Sequence, residues 1–373
     1  MSINELFAEK EYPQPNKLSQ FLNEEKPIII FGAGKLGKKI GNFLLSERIN
    51  VIAFADNNSK VWNSEFSNIK IRNPKDFGSN ELKNAAWIVS IWSPGHSFAT
   101  TKKQLQSLGV ENFFHAGALM QLFPDKLLPH YHFQTPDYFR QHKDKIEEVY
   151  ENLADEESKK QYLAHLDSRI NLNFEGLPEP DTSNQYFPSD IVALSDKEVF
   201  LDAGAYDGDT LEQFSNLTHS VFTKYIALEP DPANYKKLLD RVSKFPSGKV
   251  EVFPYAVGEE NCTLKFDATG GEGAAVSESG TVTVESRRID DMFYDYQPTY
   301  LKFDIEGAEL GALKGAKKTI TQYRPKLAVC LYHLPDDLWT IPLLIKEYNK
   351  DYKLFVRTHS LDGFEFVLYA IPQ

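Results

Sequence analysis

Apolar positions fall into short continuous runs separated by glycine turns and by segments with helical spacing. Residues 27–45 read as an apolar strand, a turn and an amphipathic helix, and residues 199–214 repeat that plan. After the first unit come apolar strands at 51–55 and 86–91, an amphipathic segment at 100–108 and a further strand at 110–115. Such alternation of strand and helix predicts a parallel sheet with crossover helices. After the second unit, strands are expected at 225–228, 249–254, 300–304 and 326–333, with residues 352–357 and 364–371 forming a terminal antiparallel hairpin. The fold class is therefore α/β, with two Rossmann-like domains in series.

The pattern changes between them. Tyr138, Ile146, Val149, Leu153, Tyr162 and Leu166 recur at helical spacing among Lys and Glu, and residues 175–183 are rich in proline and acidic side chains. The expected division is 1–135 for the first domain, 136–183 for a helical connector and loop, and 184–373 for the second domain. A chain of 373 residues with 42% hydrophobic and 25% charged content is consistent with two packed cores.

The net charge of -12, with no basic stripe, argues against a nucleic-acid partner and favours a small-molecule or glycan one. Two cysteines, Cys262 and Cys330, make no disulfide or metal framework. The first residues lack the apolar core of a signal peptide, and no apolar run is long enough to span a bilayer, so a cytoplasmic location is expected. A homodimer is left open.

The second glycine turn carries the most chemistry. VFLDAGAYDGDT (199–210) is a strand ending at Asp202 followed by Gly204 and Gly208, and the next strand ends at Glu229, where a carboxylate would accept hydrogen bonds from a ribose diol. Both S-adenosylmethionine and NAD present such an adenosine. Further on, YLKFDIEGAE (300–309) puts Lys302 and Asp304 on one face of a strand, with Glu306 just beyond its end, and His333 closes a later strand. Asp304, Glu306 and His333 are candidate proton acceptors; clustered carboxylates are also what holds a divalent cation, so a metal stays open. The bland alternative is a structural ion-pair network.

The first turn, IIIFGAGKLG (28–37), contains G-x-G-x-x-G between strand and helix, with Asp56 ending the next strand. Its candidate ligand residues are Gly32, Gly34, Lys35, Leu36, Gly37 and Asp56. No Tyr and Lys pair with dehydrogenase spacing accompanies it, so a module binding a nucleotide-linked or phosphorylated ligand is expected, against a ligandless packing domain. His96, His115, His130 and His132 lack metal-ligand spacing and are read as structural or surface residues.

Residues 199–371 resemble the FkbM-type methyltransferases. The segments that carry the likeness are FLDAGAYDGDT (200–210), ALEPDPANYKKL (227–238), YAVGEE (255–260), YLKFDIEGAELGALKGAKKTI (300–320), PKLAVCLYHLPDDLWTIPLLIK (325–346) and FVRTHS (355–360). The resemblance implies a class I methyltransferase sheet of seven strands, S-adenosylmethionine as donor and a sugar or polyketide hydroxyl as acceptor. It implies that Asp202, Gly204 and Gly208 hold the methionine part, Glu229 the ribose and Tyr255 to Val257 the adenine edge. Ala203, Asp207, Thr210, Pro230, Asp231, Ala256, Val257 and Asp304 are further candidate cofactor contacts. Tyr206 stands where such turns often have glycine. The N-terminal run resembles small Rossmann-like domains attached to sugar-modifying enzymes. Two other functions remain: an NAD-dependent sugar oxidoreductase or epimerase centred on the first turn, and a module that senses S-adenosylmethionine without transferring from it. The glycine-rich stretch 270–280 is read as a hairpin tip, with closure over an acceptor as the alternative.

Overall fold

The computed structural model describes residues 3–7, 13–271, 274–276 and 280–373. The chain divides into two compact units, one of residues 1–143, 161–180 and 360–364, the other of residues 144–160, 181–359 and 365–373. The expected connector at 136–183 is thus not a body of its own. Residues 144–160 fold with the second unit, where Arg357 donates to Asp155 Oδ2 at 2.8 Å and to Ser158 Oγ at 2.9 Å. Residues 136–143 and 161–180 fold with the first unit, where Phe174 packs on His115 at 4.4 Å between ring centroids and Gln121 donates to Ile170 O at 3.1 Å.

The first unit holds strands β1 (Ile28–Phe31), β2 (Val51–Ala55), β3 (Glu65–Phe66), β4 (Ile69–Arg72), β5 (Ala86–Val89) and β6 (Phe113–His115), in the order β3-β4-β2-β1-β5-β6. All pairs are parallel except β3 with β4. Strands β1 and β5 are wholly buried, which is why they read as unbroken apolar runs. Helix α1 (Lys35–Ser46) follows β1. The strand expected to reach residue 91 stops at Val89, because Ser90 Oγ turns to donate to Phe31 O at 3.1 Å and Gly32 O at 2.9 Å.

The second unit is built on seven strands: β7 (Val199–Ala203), β8 (Lys224–Leu228), β9 (Val250–Phe253), β14 (Tyr300–Phe303), β15 (Lys326–Cys330), β16 (Lys353–Thr358) and β17 (Phe366–Ile371). The intervening strands β10 (Tyr255–Val257), β11 (Cys262–Asp267), β12 (Ala275–Val276) and β13 (Val282–Arg287) form a separate sheet in the order β10-β13-β11-β12. The main sheet runs β16-β17-β15-β14-β7-β8-β9, with β17 antiparallel to both its neighbours. The class I sheet with its terminal antiparallel pair is therefore present. Helices α2 (Asp209–Leu217), α3 (Pro232–Val242), α4 (Glu309–Gly315) and α5 (Asp337–Tyr348) follow β7, β8, β14 and β15. Phe200 stacks on Phe214 and on Tyr225, each at 5.0 Å, pinning α2 to the sheet. Among the described residues, no helix is long and apolar enough to cross a membrane.

Candidate functional site

In the second unit the carboxyl ends of β7, β8 and β14 meet. Gly204 leaves β7 with φ +84°, a conformation that L side chains rarely adopt, and a Cβ there would lie 1.9 Å from the carbonyl oxygen of Asp304. The bare backbone lets the two strand ends touch. Behind the turn, Lys302 and Asp202 are register partners on β14 and β7. Lys302 Nζ lies 2.9 Å from Asp202 Oδ1 and donates to Gly204 O at 2.7 Å, while Tyr225 donates to Asp202 Oδ2. Asp202 is fully buried, so its role is to anchor the turn through Lys302.

Glu229 and the turn are joined directly. Its carboxylate accepts from Tyr206 N at 2.9 Å and from Asp231 N at 2.8 Å. Burial pushes this carboxyl up to about 7, although the two amide bonds pull the other way. Tyr206, which replaces the usual glycine, adopts φ +47° and therefore follows the left-handed path a glycine would take. The Lys237 ammonium sits 5.3 Å from its ring centroid. Asp207 pairs with Arg241 at 2.8 Å, Thr210 is buried at the start of α2, and Ala203 and Gly208 are buried as well.

Asp231 is a helix cap. It accepts from Ala233 N at 2.8 Å and Asn234 N at 3.1 Å, and its other oxygen accepts from Gly270 N at 3.0 Å. Lys237 reaches Gly270 O at 2.9 Å, so the start of the glycine-rich stretch is tied to α3 beside Glu229. Residues 272–273 and 277–279 of that stretch lie outside the described residues. Pro230 is half-buried between Glu229 and Asp231. Ala256 and Val257 are buried in β10.

On the other side of β14 lies an acidic cluster. Asp304 Oδ2 accepts from Tyr186 OH at 2.7 Å, and Oδ1 accepts from Tyr332 OH at 3.2 Å. His333 Nδ1 is 2.8 Å from Glu309 Oε1, which also accepts from Ile305 N at 2.9 Å. His333 Nε2 faces Asp304 Oδ1 at 3.5 Å and Glu306 Oε2 at 3.8 Å. Burial alone would depress the imidazole, but Glu309, then Asp304 and Glu306, raise it to about 10. For Asp304 burial acts upward, and Lys302, His333 and the Tyr186 hydroxyl outweigh it, so the carboxyl is held below its usual range. Glu365 accepts from Tyr332 OH at 3.1 Å and from Gln185, and burial followed by repulsion from Asp304 lifts it to about 8.

Asp304, Glu306 and His333, singled out in the sequence, are thus brought together. Tyr186, Tyr332 and Glu365 were missed. Tyr186 lies in a loop before β7 with no motif around it, whereas Tyr332 beside His333 at a strand end was a usable signal.

In the first unit, Asp56 is occupied by its own turn, accepting from Ala33 N at 2.7 Å and Asn58 N at 2.8 Å. A Cβ on Gly37 would sit 1.9 Å from Gly32 O, so this glycine serves close helix-to-strand packing. The position above Gly34 is open, and Gly34 and Lys35 are exposed with Leu36 half-buried. Of the four histidines read as structural or surface residues, His96 and His130 are half-buried. His115 and His132 are buried, both packed edge-on against Trp92 at 5.3 Å, and His96 Nδ1 lies 3.3 Å from Asp362.

Residues 202–359 match the family model for the methyltransferase FkbM domain. The matched residues lie within the second unit, which is similar to that domain. Residues 24–112 match a model described as C2185-like, N-terminal. The crystal structure of methyltransferase FkbM from Methylobacillus flagellatus KT is similar to the chain at a TM-score of 0.77 and 22% identity, covering 99% of both chains; at that identity the likeness is one of fold. UDP-D-quinovosamine 4-dehydrogenase from Vibrio fischeri matches 27% of this chain and 86% of its own at 26% identity and a TM-score of 0.22. A putative methyltransferase from Streptococcus mutans in complex with SAH matches 52% of this chain and 98% of its own at 11% identity and a TM-score of 0.28. No curated protein matches the chain. The FkbM domain match does not favour the oxidoreductase alternative centred on the first turn.

Proposed function

We propose that the second unit transfers a methyl group from S-adenosylmethionine to a hydroxyl of a sugar or related metabolite. The observation that carries this reading is the contact of Gly204 with the backbone of Asp304, which sets a ribose-type carboxylate, Glu229, and an acidic cluster on either side of one strand end. Bound there, the sulfonium supplies the methyl carbon: its carbon–sulfur bond breaks toward sulfur as the acceptor oxygen forms the new bond. The turn at 203–208 offers its backbone to the methionine part, and Glu229 accepts from the ribose hydroxyls. Asp304 and Glu306 take the hydroxyl proton in this reading, which their position beside His333 supports. Glu309 fixes the ring of His333 and so orients the cluster. Gly34 and Lys35 are exposed at the start of α1 with open space above Gly34, which supports the first unit as a module binding a phosphorylated or nucleotide-linked group.

The test is production of S-adenosylhomocysteine by the full chain across a panel of free and nucleotide-linked sugars. Turnover is expected with at least one hydroxylated acceptor and is expected to vanish when its hydroxyls are blocked. Methylation of an amine or thiol instead would overturn the choice of oxygen.

A further inference from the structure

We propose that Glu365 is a positioning residue of the methyl-transfer site: its carboxyl carries a proton and donates it to the Tyr332 oxygen, which leaves the Tyr332 hydroxyl to Asp304 and the negative charge on Asp304. The observation behind this is a closed ring of side chains. Tyr332 OH stands 3.2 Å from Asp304 Oδ1 and 3.1 Å from Glu365 Oε1. Tyr186 donates to Asp304 Oδ2 at 2.7 Å, Gln185 Nε2 donates to Tyr186 OH at 3.0 Å, and the same amide donates to Glu365 Oε2, which closes the circuit. These are five contacts, yet the two hydroxyls and the amide hold four hydrogens between them. One tyrosine hydrogen does not serve two carboxylates, and two oxygens 3.1 Å apart with no hydrogen between them repel. A carboxyl of the ring therefore supplies the fifth.

Electrostatics decides which one. Asp304 faces Lys302 and His333, both cations, and is held below its usual range. Glu365 is half-buried and faces Asp304 beyond β14, Cys330, Tyr332 and His333 at the end of β15, and Gln185 and Tyr186 from the loop before β7. Of these His333 alone is a cation, and it is shared with Asp304, Glu306 and Glu309. Burial, then repulsion from Asp304, lifts the Glu365 carboxyl to about 8, so the proton rests there at neutral pH. Glu365 is also held at φ +49°, uncommon for a side chain of this type, in the turn that brings its carboxyl to the ring.

The catalytic consequence rests on the methyl-transfer reading, whereas the protonated ring does not. With a tyrosine hydroxyl on each oxygen, Asp304 stays ionised and oriented to take the acceptor's proton. Once Glu365 ionises, two carboxylates compete for the Tyr332 hydrogen and the site gains a negative charge. The sulfonium loses its positive charge as the methyl leaves, so that added charge favours the ground state over the transition state.

The experiment follows carboxyl protons by infrared spectroscopy on the full chain labelled with carboxyl-13C glutamate, titrated across the neutral and alkaline range, with S-adenosylmethionine binding read separately by calorimetry. A protonated glutamate that ionises at about 8 is expected, absent from Glu365→Gln. In Asp304→Asn its midpoint should fall by about one pH unit or more, since the repelling charge is gone. With a sugar that is turned over, kcat of the unaltered chain at saturating S-adenosylmethionine should fall about tenfold between about pH 7 and about pH 9. Glu365→Gln, which puts an uncharged donor in the same place, should abolish that fall. Melting curves check that both variants fold. Absence of the Glu365 proton, an unmoved midpoint in folded Asp304→Asn, or the same alkaline profile in folded Glu365→Gln overturns the proposal. The titrating proton in a chain that does not bind S-adenosylmethionine upholds the protonated ring and overturns the methyl-transfer reading alone.

Discussion

Lys302 and Asp202 stand opposite each other on β14 and β7, both almost wholly buried, with their charges 2.9 Å apart. The same ammonium holds the carbonyl of Gly204, so one ion pair fixes the strand end from which the candidate cofactor turn departs. Removing one partner of such a pair strands a charge in the interior. Lys302→Met is expected to cost about 3–5 kcal/mol, read from urea unfolding of the full chain. Asp202→Asn combined with Lys302→Met should recover a good part of that loss, because no buried charge then remains.

Gly204→Ala tests the close approach. Its Cβ would meet the Asp304 carbonyl at 1.9 Å, and the residue would still be held at positive φ. The strand ends must separate, so the cost should exceed the roughly 1–3 kcal/mol of backbone strain alone. Unfolding free energy and S-adenosylmethionine affinity should fall together. Unchanged affinity in a folded variant would separate the turn from cofactor binding.

Glu229 gives the second unit a pH dependence. Its carboxyl is raised from 4.5 in the unfolded chain to about 7 in the folded one. Between those values the folded state binds the extra proton, so the group's contribution is complete below about pH 4.5 and is lost as pH rises to about 7. The difference amounts to about 3 kcal/mol. Glu229→Gln should flatten this part of the stability profile in denaturant titrations across that range. A profile of unchanged slope would mean that Glu229 is charged in the fold throughout.

Asp304→Asn separates chemistry from cofactor affinity. If Asp304 acts on the acceptor side, the rate of methyl transfer should fall about 10²- to 10⁴-fold, with S-adenosylmethionine affinity changed only a few-fold. Loss of affinity of the same size would assign Asp304 to the cofactor instead.

Much of this was legible in the sequence. Buried parallel strands such as β1, β5 and β7 are continuous apolar runs, and their glycine turns mark where helices begin. Asp304, Glu306 and His333 were legible because each sits at or just past a strand end. The separate folding of residues 144–160 and 161–180 was not, since it rests on distant partners, Arg357 for one part and Gln121 for the other. The gathering of His115 and His132 around Trp92 escaped for the same reason: contacts between rings distant in sequence leave no periodic trace. Nor does a sequence show that Asp231 caps a helix while holding Gly270.

The central claim is that the β7 turn and Glu229 bind S-adenosylmethionine. Calorimetric titration of the full chain should show one site per chain, weakened roughly tenfold or more in Glu229→Gln as the charged acceptor for the ribose hydroxyls is lost. No S-adenosylmethionine binding, or binding equally tight in a folded Glu229→Gln variant, would contradict the account.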